Sequence, residues 1–223
     1  MPSLFLKQCQ RELFSHYRHL SSTFYPLLLF VLVLIFFPLT LPIPLSLLHT
    51  LAPGIFWMAL LFCFLLGAES IFYHTREDGI LEQWVASRFP MTLFIAPKLL
   101  MHWLFLLVGL IPASLIGASL FSLSWPETKI LLLSILVGTP CMFLLSALAS
   151  AFHQGRSPKG GILAFIIAPF TIPVLIFGSA CLQASMQHFP VSGYIALLSA
   201  FSLLSLISLP TAIGFVLKTY ACD

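Results

Sequence analysis

Charged residues are the scarcest class in this sequence. The chain has 223 residues, of which 10 are basic and 7 are acidic, so charged residues make up 8% of it. Soluble globular domains carry about 25% charged residues, and so few charges do not cover the surface of a 24.7 kDa particle in water. The mean hydropathy of +1.06 agrees with this view. The composition therefore excludes a soluble enzyme, a nucleic-acid-binding protein and a disordered linker.

Motifs for catalysis, metal binding and nucleotide binding are also missing. The five cysteines are widely spaced and include no C-x-x-C pair, which excludes the common metal, haem-attachment and redox motifs. The sequence contains no H-E-x-x-H motif, Ser/His/Asp set or pair of carboxylates. The glycine cluster at residues 155–161 lacks the Lys-Ser/Thr pair of a phosphate-binding loop. We therefore expect no catalytic residue and no metal site, and any ATP that the protein uses must bind to another subunit.

Long, continuous apolar runs fill most of the chain. A bilayer core of about 30 Å needs about 20 apolar residues in each crossing helix, and the strands of an outer-membrane barrel would alternate instead. The sequence predicts an all-α polytopic membrane protein with one transmembrane domain over residues 1–223, its six-helix bundle over residues 24–217. The predicted spans are Phe24–Leu41, Leu51–Phe72, Phe94–Gly117, Ile130–Phe152, Gly161–Leu182 and Tyr194–Leu217.

The basic residues predict the orientation of these spans. Cytoplasmic loops of membrane proteins carry the excess of Lys and Arg. Nine of the ten basic residues fall on one side of the predicted spans, and only Lys129 falls on the other. Both termini are therefore expected in the cytoplasm, and an even number of spans requires the same result. The nine residues are Lys7, Arg11, Arg18, Arg76, Arg88, Lys98, Arg156, Lys159 and Lys218.

The N-terminal segment, residues 1–22, precedes the first span. Apolar residues recur at helical spacing from Leu6 to Leu20, while the basic residues point elsewhere. This pattern predicts an amphipathic helix over residues 4–20 that lies in the membrane interface, with its basic residues near anionic headgroups. The alternative is a basic tail without a fixed structure.

Three ionisable residues lie near the cytoplasmic ends of spans two and three. They are Glu69, Lys98 and His102. Charges inside a membrane are costly and often functional. Because spans two and three are consecutive in the chain, a Glu69–Lys98 ion pair is expected. The alternative is that each side chain reaches separately to the interface.

Small residues and prolines predict local features of two spans. In span three, Gly109, Ala113 and Gly117 form a small-xxx-small pattern, which permits close helix packing. Pro169 and Pro173 predict a bent or irregular beginning for the fifth span, because proline removes a backbone donor.

The most polar connection lies between spans two and three, over residues 73–90. Asp78 is expected to cap a short helix that begins at Gly79, by accepting from exposed N–H groups of its first turn. Two apolar pairs share faces of this helix at i, i+4 spacing, namely Ile80 with Trp84 and Leu81 with Val85. Such a helix either docks into a groove on a soluble partner or lies on the membrane.

Several segments in order resemble one known family. They are FFPLTL (36–41), LAPGIFW (51–57), DGILEQ (78–83), APKLLMHW (96–103), GTP (138–140), KGGIL (159–163), APFTIPVLIFG (168–178) and PVSGY (190–194). Over essentially its whole length the chain resembles the haem exporter protein B family, the CcmB-type membrane subunit of the cytochrome c maturation ABC complex.

The resemblance implies a six-helix permease subunit in a bacterial inner membrane. It implies as partners a separate ABC ATPase subunit, a second membrane subunit that handles haem, and a periplasmic haem chaperone, whose haem-loaded form is released at the expense of ATP. It implies a non-catalytic chain without a bound cofactor, since ATP binds to the ATPase and haem is handled by the complex. Together with the small-residue pattern in span three, it also suggests two copies of the chain.

The resemblance further implies that residues 78–85 form the coupling helix that contacts the ATPase. In this view Asp78 and Glu82 meet basic residues of the partner, while Ile80, Leu81 and Trp84 fill its groove, and Gly79 and Gln83 complete the segment.

Two other functions remain open on the sequence. One is an ABC permease for another substrate, such as a drug or a lipid-linked sugar. The other is an intramembrane enzyme or redox subunit that uses Glu69, Lys98 and His102, although no set of cofactor ligands is visible.

Overall fold

The structure is a computed structural model that describes residues 7–12, 21–40, 44–77, 79, 83–84, 90–153 and 168–221. All regular structure in these ranges is helical, and six helices are long and apolar enough to cross a membrane. The predicted all-α, six-span fold is confirmed. The helices are α1 (Ser21–Thr40), α2 (Leu45–Glu77), α3 (Thr92–Leu120), α4 (Trp125–His153), α5 (Ile172–Met186) and α6 (Ser192–Ala221).

Helix α2 begins at Leu45 rather than at the predicted Leu51. The polar pair His49 and Thr50 interrupts the apolar run, so hydropathy alone places the span too late. The helix accommodates both residues, because the Thr50 hydroxyl donates to the carbonyl of Ser46 at 2.9 Å and His49 contacts a residue of another helix.

Helix α5 has the irregular beginning that its prolines predict. A 3₁₀ turn over Ala168–Thr171 precedes the α-helix, and Pro173 lies in its first turn. Proline is tolerated there because the first N–H groups of a helix have no intrahelical acceptor. The predicted beginning of this span at Gly161 lies outside the described residues, and the helix ends at Met186 rather than at Leu182.

Helix α4 occupies the centre of the bundle. It packs most extensively against α6 and also against α2, α3 and α5, while α1 packs against α2 and α3. Helices α2 and α3 have little direct contact, although they are consecutive in the chain. Helix α3 packs more extensively against α1 than against α2, so helices that are consecutive in the chain are not close neighbours in the bundle.

Trp57 of α2 fills the middle of this packing. Its side chain is buried, and its ring lies directly against the backbone of Gly178 in α5. On α4, a Cβ atom added to Gly138 would lie 2.6 Å from the indole ring. Two glycines on different helices thus make the space for one tryptophan.

Large apolar side chains cover the outside of the bundle, as expected for a protein whose solvent is lipid. The peripheral helices α1 and α6 carry many of them, including Phe36, Leu39, Leu204, Ile207 and Phe215. Some buried serines bond within their own helix, since Ser134 and Ser205 donate to carbonyls of their own helices.

Candidate functional site

One end of the bundle carries a buried ion pair between two helices. We call this the basic end and define it as the end at which α2 ends at Glu77 and α3 begins at Thr92. Residues 7–12 are helical, and Glu12 among them contacts α3 at the same end. Lys7 and Arg11 are exposed there. The rest of the predicted helix over residues 4–20 lies outside the described residues, so its place in the membrane interface stays a prediction.

The connection from α2 to α3 contains a turn at Gly79. Its φ of 66° lies in the left-handed region, which a glycine adopts without steric cost, and this turn ends α2. The N–H of Gln83 donates to the carbonyl of Gly79 at 3.5 Å, and Gln83 and Trp84 are helical. Gly79 is a turn residue and not the first residue of a helix, because its left-handed backbone lies outside helical geometry. The predicted cap, Asp78, lies outside the described residues.

Trp84 attaches this connection to α3. Its side chain is only 4% exposed, and its ring stacks on Phe94, with the ring centroids 5.3 Å apart and the planes inclined by 14°. The expected role of Trp84 as an anchor in a partner's groove does not fit this placement, because the ring is buried within its own chain. Gln83 beside it is exposed. Ile80, Leu81 and Glu82 lie outside the described residues.

Lys98 of α3 forms an ion pair with Glu12 of the N-terminal helix. Its Nζ donates to Oε2 of Glu12 at 3.2 Å, and the two side chains are 13% and 4% exposed. The other carboxylate oxygen accepts from Nε2 of Gln8, also at 3.2 Å. Both oxygens of a buried carboxylate therefore have a partner, as a buried charge requires.

The sequence analysis predicted a different partner for Lys98. The side chain of Glu69 lies outside the described residues, so the Glu69–Lys98 pair stays a prediction. The two helices that carry these residues have little direct contact. One sequence signal pointed to Glu12. It is the first acidic residue of the chain, and it follows Cys9 by three positions on the predicted apolar face of the N-terminal helix.

His102 lies one turn beyond Lys98, inside the bundle. Its side chain is 3% exposed, and its ring stacks on Phe143 of α4 at a centroid distance of 5.7 Å. On the next residue of α3, Nε1 of Trp103 donates to Oγ1 of Thr139 at 3.1 Å. These contacts join α3 to α4, and His102 contributes to them by stacking on Phe143.

An apolar cavity of about 270 Å³ lies beside these residues, between α3, α4 and α6. Its lining includes Leu99, Trp103, Phe143, Pro140 and Pro210. In the described part of the chain, no group of three or more His, Cys, Asp or Glu residues could hold a metal ion.

The opposite end of the bundle carries a second polar contact, which the sequence analysis missed. Oε2 of Glu127 accepts from the backbone N–H of Ser124 at 2.7 Å and lies 3.2 Å from Nε2 of His49. Ser124 and Glu127 form a capping box at the beginning of α4, whose S-x-x-E spacing is readable in the sequence. His49 connects this cap to α2.

The small-residue face of α3 is covered by the same chain. Gly109 lies directly against Leu27 of α1, and a Cβ atom on Gly117 would lie 2.7 Å from Cδ1 of Leu34. Ala113 between them is buried. This face therefore packs α3 against α1 within one chain. The small-residue pattern does not support two copies of the chain, because α1 already covers it.

Comparison with known proteins identifies the family. Residues 3–219 match the family described as CcmB protein, which is nearly the whole chain. The chain belongs to the CcmB family. Its relatives include the protein named "Heme exporter protein B" from Pseudomonas aeruginosa, which is 41% identical over 97% of this chain and 96% of the relative. The protein of the same name from Haemophilus influenzae is 35% identical over 96% of this chain and 97% of the relative. The protein of that name from Escherichia coli is 34% identical over 88% of this chain and 90% of the relative.

Membership of the CcmB family agrees with the resemblance found in the sequence. Together with six membrane-spanning helices, it makes the chain a multi-pass membrane protein and a component of a transport system.

Proposed function

We propose that this chain is the permease subunit of an ABC-type complex in c-type cytochrome biogenesis. The supporting observations are the family, the relatives named "Heme exporter protein B" and six spans without a phosphate-binding loop in the sequence. A separate ATPase subunit hydrolyses ATP, and this chain converts that hydrolysis into haem delivery or release of the haem-loaded periplasmic chaperone. The chain itself is non-catalytic and binds no cofactor.

The proposed ATPase contact is the connection at residues 78–85. The observation that carries this proposal is the Trp84–Phe94 stack, which fixes the connection to the first turn of α3. A tightly packed aromatic pair transmits a displacement, because packed interiors deform little. Movement of the docked segment therefore passes to α3. Gln83 faces outward, and Asp78, Ile80, Leu81 and Glu82 are the other proposed contact residues.

The proposed location is the bacterial inner membrane, with both termini and the basic end in the cytoplasm. The support is the placement of nine of the ten basic residues on this side of the spans. The end that carries His49 and Glu127 then faces the periplasm. There we place the second membrane subunit that handles haem and the haem chaperone, and we propose two copies of the chain in the complex.

Replacement of Trp84 tests the proposed contact. We expect Trp84→Ala to release the segment from Phe94 and to lower co-purification of the cognate ATPase at least about fivefold, since the docking segment is then no longer held in one position before it binds. Membrane levels of the chain, measured by immunoblot, should stay close to the parent level. c-type cytochromes in a complemented deletion strain should fall in parallel.

Trp125→Ala is the matched control. Trp125 is a largely exposed tryptophan at the opposite end, where Nζ of Lys129 lies 5.6 Å from its ring centroid. Its replacement should leave ATPase binding unchanged. Normal ATPase binding and ATP turnover in both Trp84→Ala and Leu81→Asp would show that this segment is not the contact. Normal c-type cytochromes in the deletion strain itself would contradict the proposed pathway.

A further inference from the structure

The buried carboxylate of Glu12 is an unusual feature for a short helix outside the membrane spans. A helix held to the bilayer by its apolar face alone would keep its charged residues toward water. Here Lys7, Gln10 and Arg11 are exposed in that way, but Glu12 faces the bundle and is 3% exposed. Burying a carboxylate is costly unless it is paired, so its pairing with Lys98 shows that the helix is seated on a specific position of α3.

That position lies next to the attachment of the ATPase-facing connection. Phe94, which stacks on Trp84, precedes Lys98 by four residues on α3. Residues four apart on a helix lie on the same face. The N-terminal helix and the α2–α3 connection are therefore fastened to successive turns of one helix, the first through Lys98 and the second through Phe94.

We propose that Glu12 and Lys98 are positioning residues that clamp the N-terminal helix to α3, so that this helix moves with α3 when the ATPase displaces the connection. The inference rests on the proposed function for its consequence, because the displacement comes from the ATPase. The clamp itself is a property of this chain. Gln8 supports the clamp because its Nε2 donates to Oε1 of Glu12, the oxygen that Lys98 does not contact, and this bond fixes the orientation of the carboxylate.

A cysteine already present in the clamped helix reports on the clamp. Cys9 is half-buried, and burial together with the nearby charge of Glu12 raises the pKa of its thiol. Cys63, Cys141 and Cys181 are buried in the bundle, and Cys222 is replaced by Ser for the experiment. The rate at which a water-soluble maleimide labels Cys9 in membranes then measures how firmly the helix is seated.

Two single variants separate the effect of helix release on the labelling rate of Cys9 from the effect of a changed charge beside the thiol. Glu12→Gln removes the negative charge beside Cys9 and would speed labelling even without release. Lys98→Met leaves the carboxylate without its ammonium partner, and this change in charge alone would slow labelling. We expect both variants to label Cys9 at least about fivefold faster, as local opening exposes the thiol. Glu127→Gln, which alters a distant ion pair, should leave the rate unchanged.

Rescue variants keep the test decisive if a single variant is poorly inserted. Lys98→Arg should keep labelling within about twofold of the parent rate, since it retains the ion pair. The exchange of Glu12→Lys with Lys98→Glu is compared with Glu12→Lys alone, which places the same charge beside Cys9, and it should label at least about fivefold more slowly because it restores an ion pair. In the assembled complex, the single variants should retain the ATPase but support fewer c-type cytochromes in the complemented deletion strain, and the exchange should restore them.

Specific results would overturn the clamp. Parental labelling rates in both single variants, or slower labelling in Lys98→Met, would show that the pair does not hold the helix. The absence of rescue by the exchange would show the same. Rescue of Lys98→Glu by Glu69→Lys, instead of by Glu12→Lys, would show that Glu69 is the partner of Lys98. Labelling is measured without ATP and without the ATPase, so these results leave the proposed function standing. If labelling behaves as expected but the ATPase does not bind the parent chain, the proposed function fails and the clamp stands.

Discussion

Trp57 fits at the centre of the bundle because two of its neighbours have no side chain. Gly178 and Gly138 bring α5 and α4 against its ring. The sequence contains these residues plainly, but nothing in their spacing connects them, since they lie on three different helices. Glu12 and Lys98 give the same lesson, because the partner of Lys98 depends on which helices pack together. At the scale of single residues, the sequence shows which residue types are present, but it does not show which of them contact each other in the folded chain.

Replacing Gly178 tests the packing around Trp57. We expect Gly178→Ala to lower stability by about 1–3 kcal/mol, because the added methyl group overlaps the indole ring and forces a shift in packing. The measurement is the midpoint of thermal unfolding in detergent, followed by size-exclusion chromatography. Gly193→Ala is the matched control, since a Cβ atom there meets nothing within 4 Å. Equal midpoints for the two variants would show that the site has room for a side chain.

The helices themselves were the most predictable part of this molecule. Hydropathy located all six, because a segment that crosses a bilayer must be apolar along its whole length. The predicted bounds were wrong at helix ends where polar residues form specific hydrogen bonds or ion pairs. Helix α2 extends back to Leu45, past His49, because that histidine meets Glu127 of α4. Gly79 shows the same limit, since it forms a left-handed turn where the sequence predicted the first residue of a helix.

Three variants separate the two roles of Glu127 at the beginning of α4. Glu127→Gln keeps an acceptor for the N–H of Ser124 but loses the charge that faces His49, and His49→Ala loses the same contact from the other side. Each should cost less than about 1 kcal/mol, because the pair is partly exposed. Glu127→Ala loses the cap as well, which adds about 1 kcal/mol.

Thermal unfolding of the purified chain measures this ordering. Glu127→Ala should unfold at the lowest temperature, and the other two variants should lie between it and the parent. An Ala variant no less stable than the Gln variant would show that the capping contact does not stabilise α4.

At the scale of the whole molecule, the packing order gives α3 a particular position. It packs against α1 and α4 and has little contact with α2, the helix that precedes it. The α2–α3 connection and the N-terminal helix are both fastened to its first turns. The family was recognisable from short motifs in order along the sequence, whereas this arrangement follows from three-dimensional packing and could not be read from the motifs. Under the proposed function, α3 is the helix that receives movement from the ATPase.

The central claim is that an ATPase docks at the basic end, on the connection that Trp84 fastens to α3. Site-specific photocrosslinking in membranes tests it most directly, with a photoreactive amino acid in place of Gln83, which is exposed beside Trp84. The same amino acid in place of Trp125, exposed at the opposite end, is the reference. The account predicts a crosslink to the cognate ATPase from position 83 and none from position 125. A crosslink from position 125, or none from position 83 while the ATPase co-purifies, would contradict it.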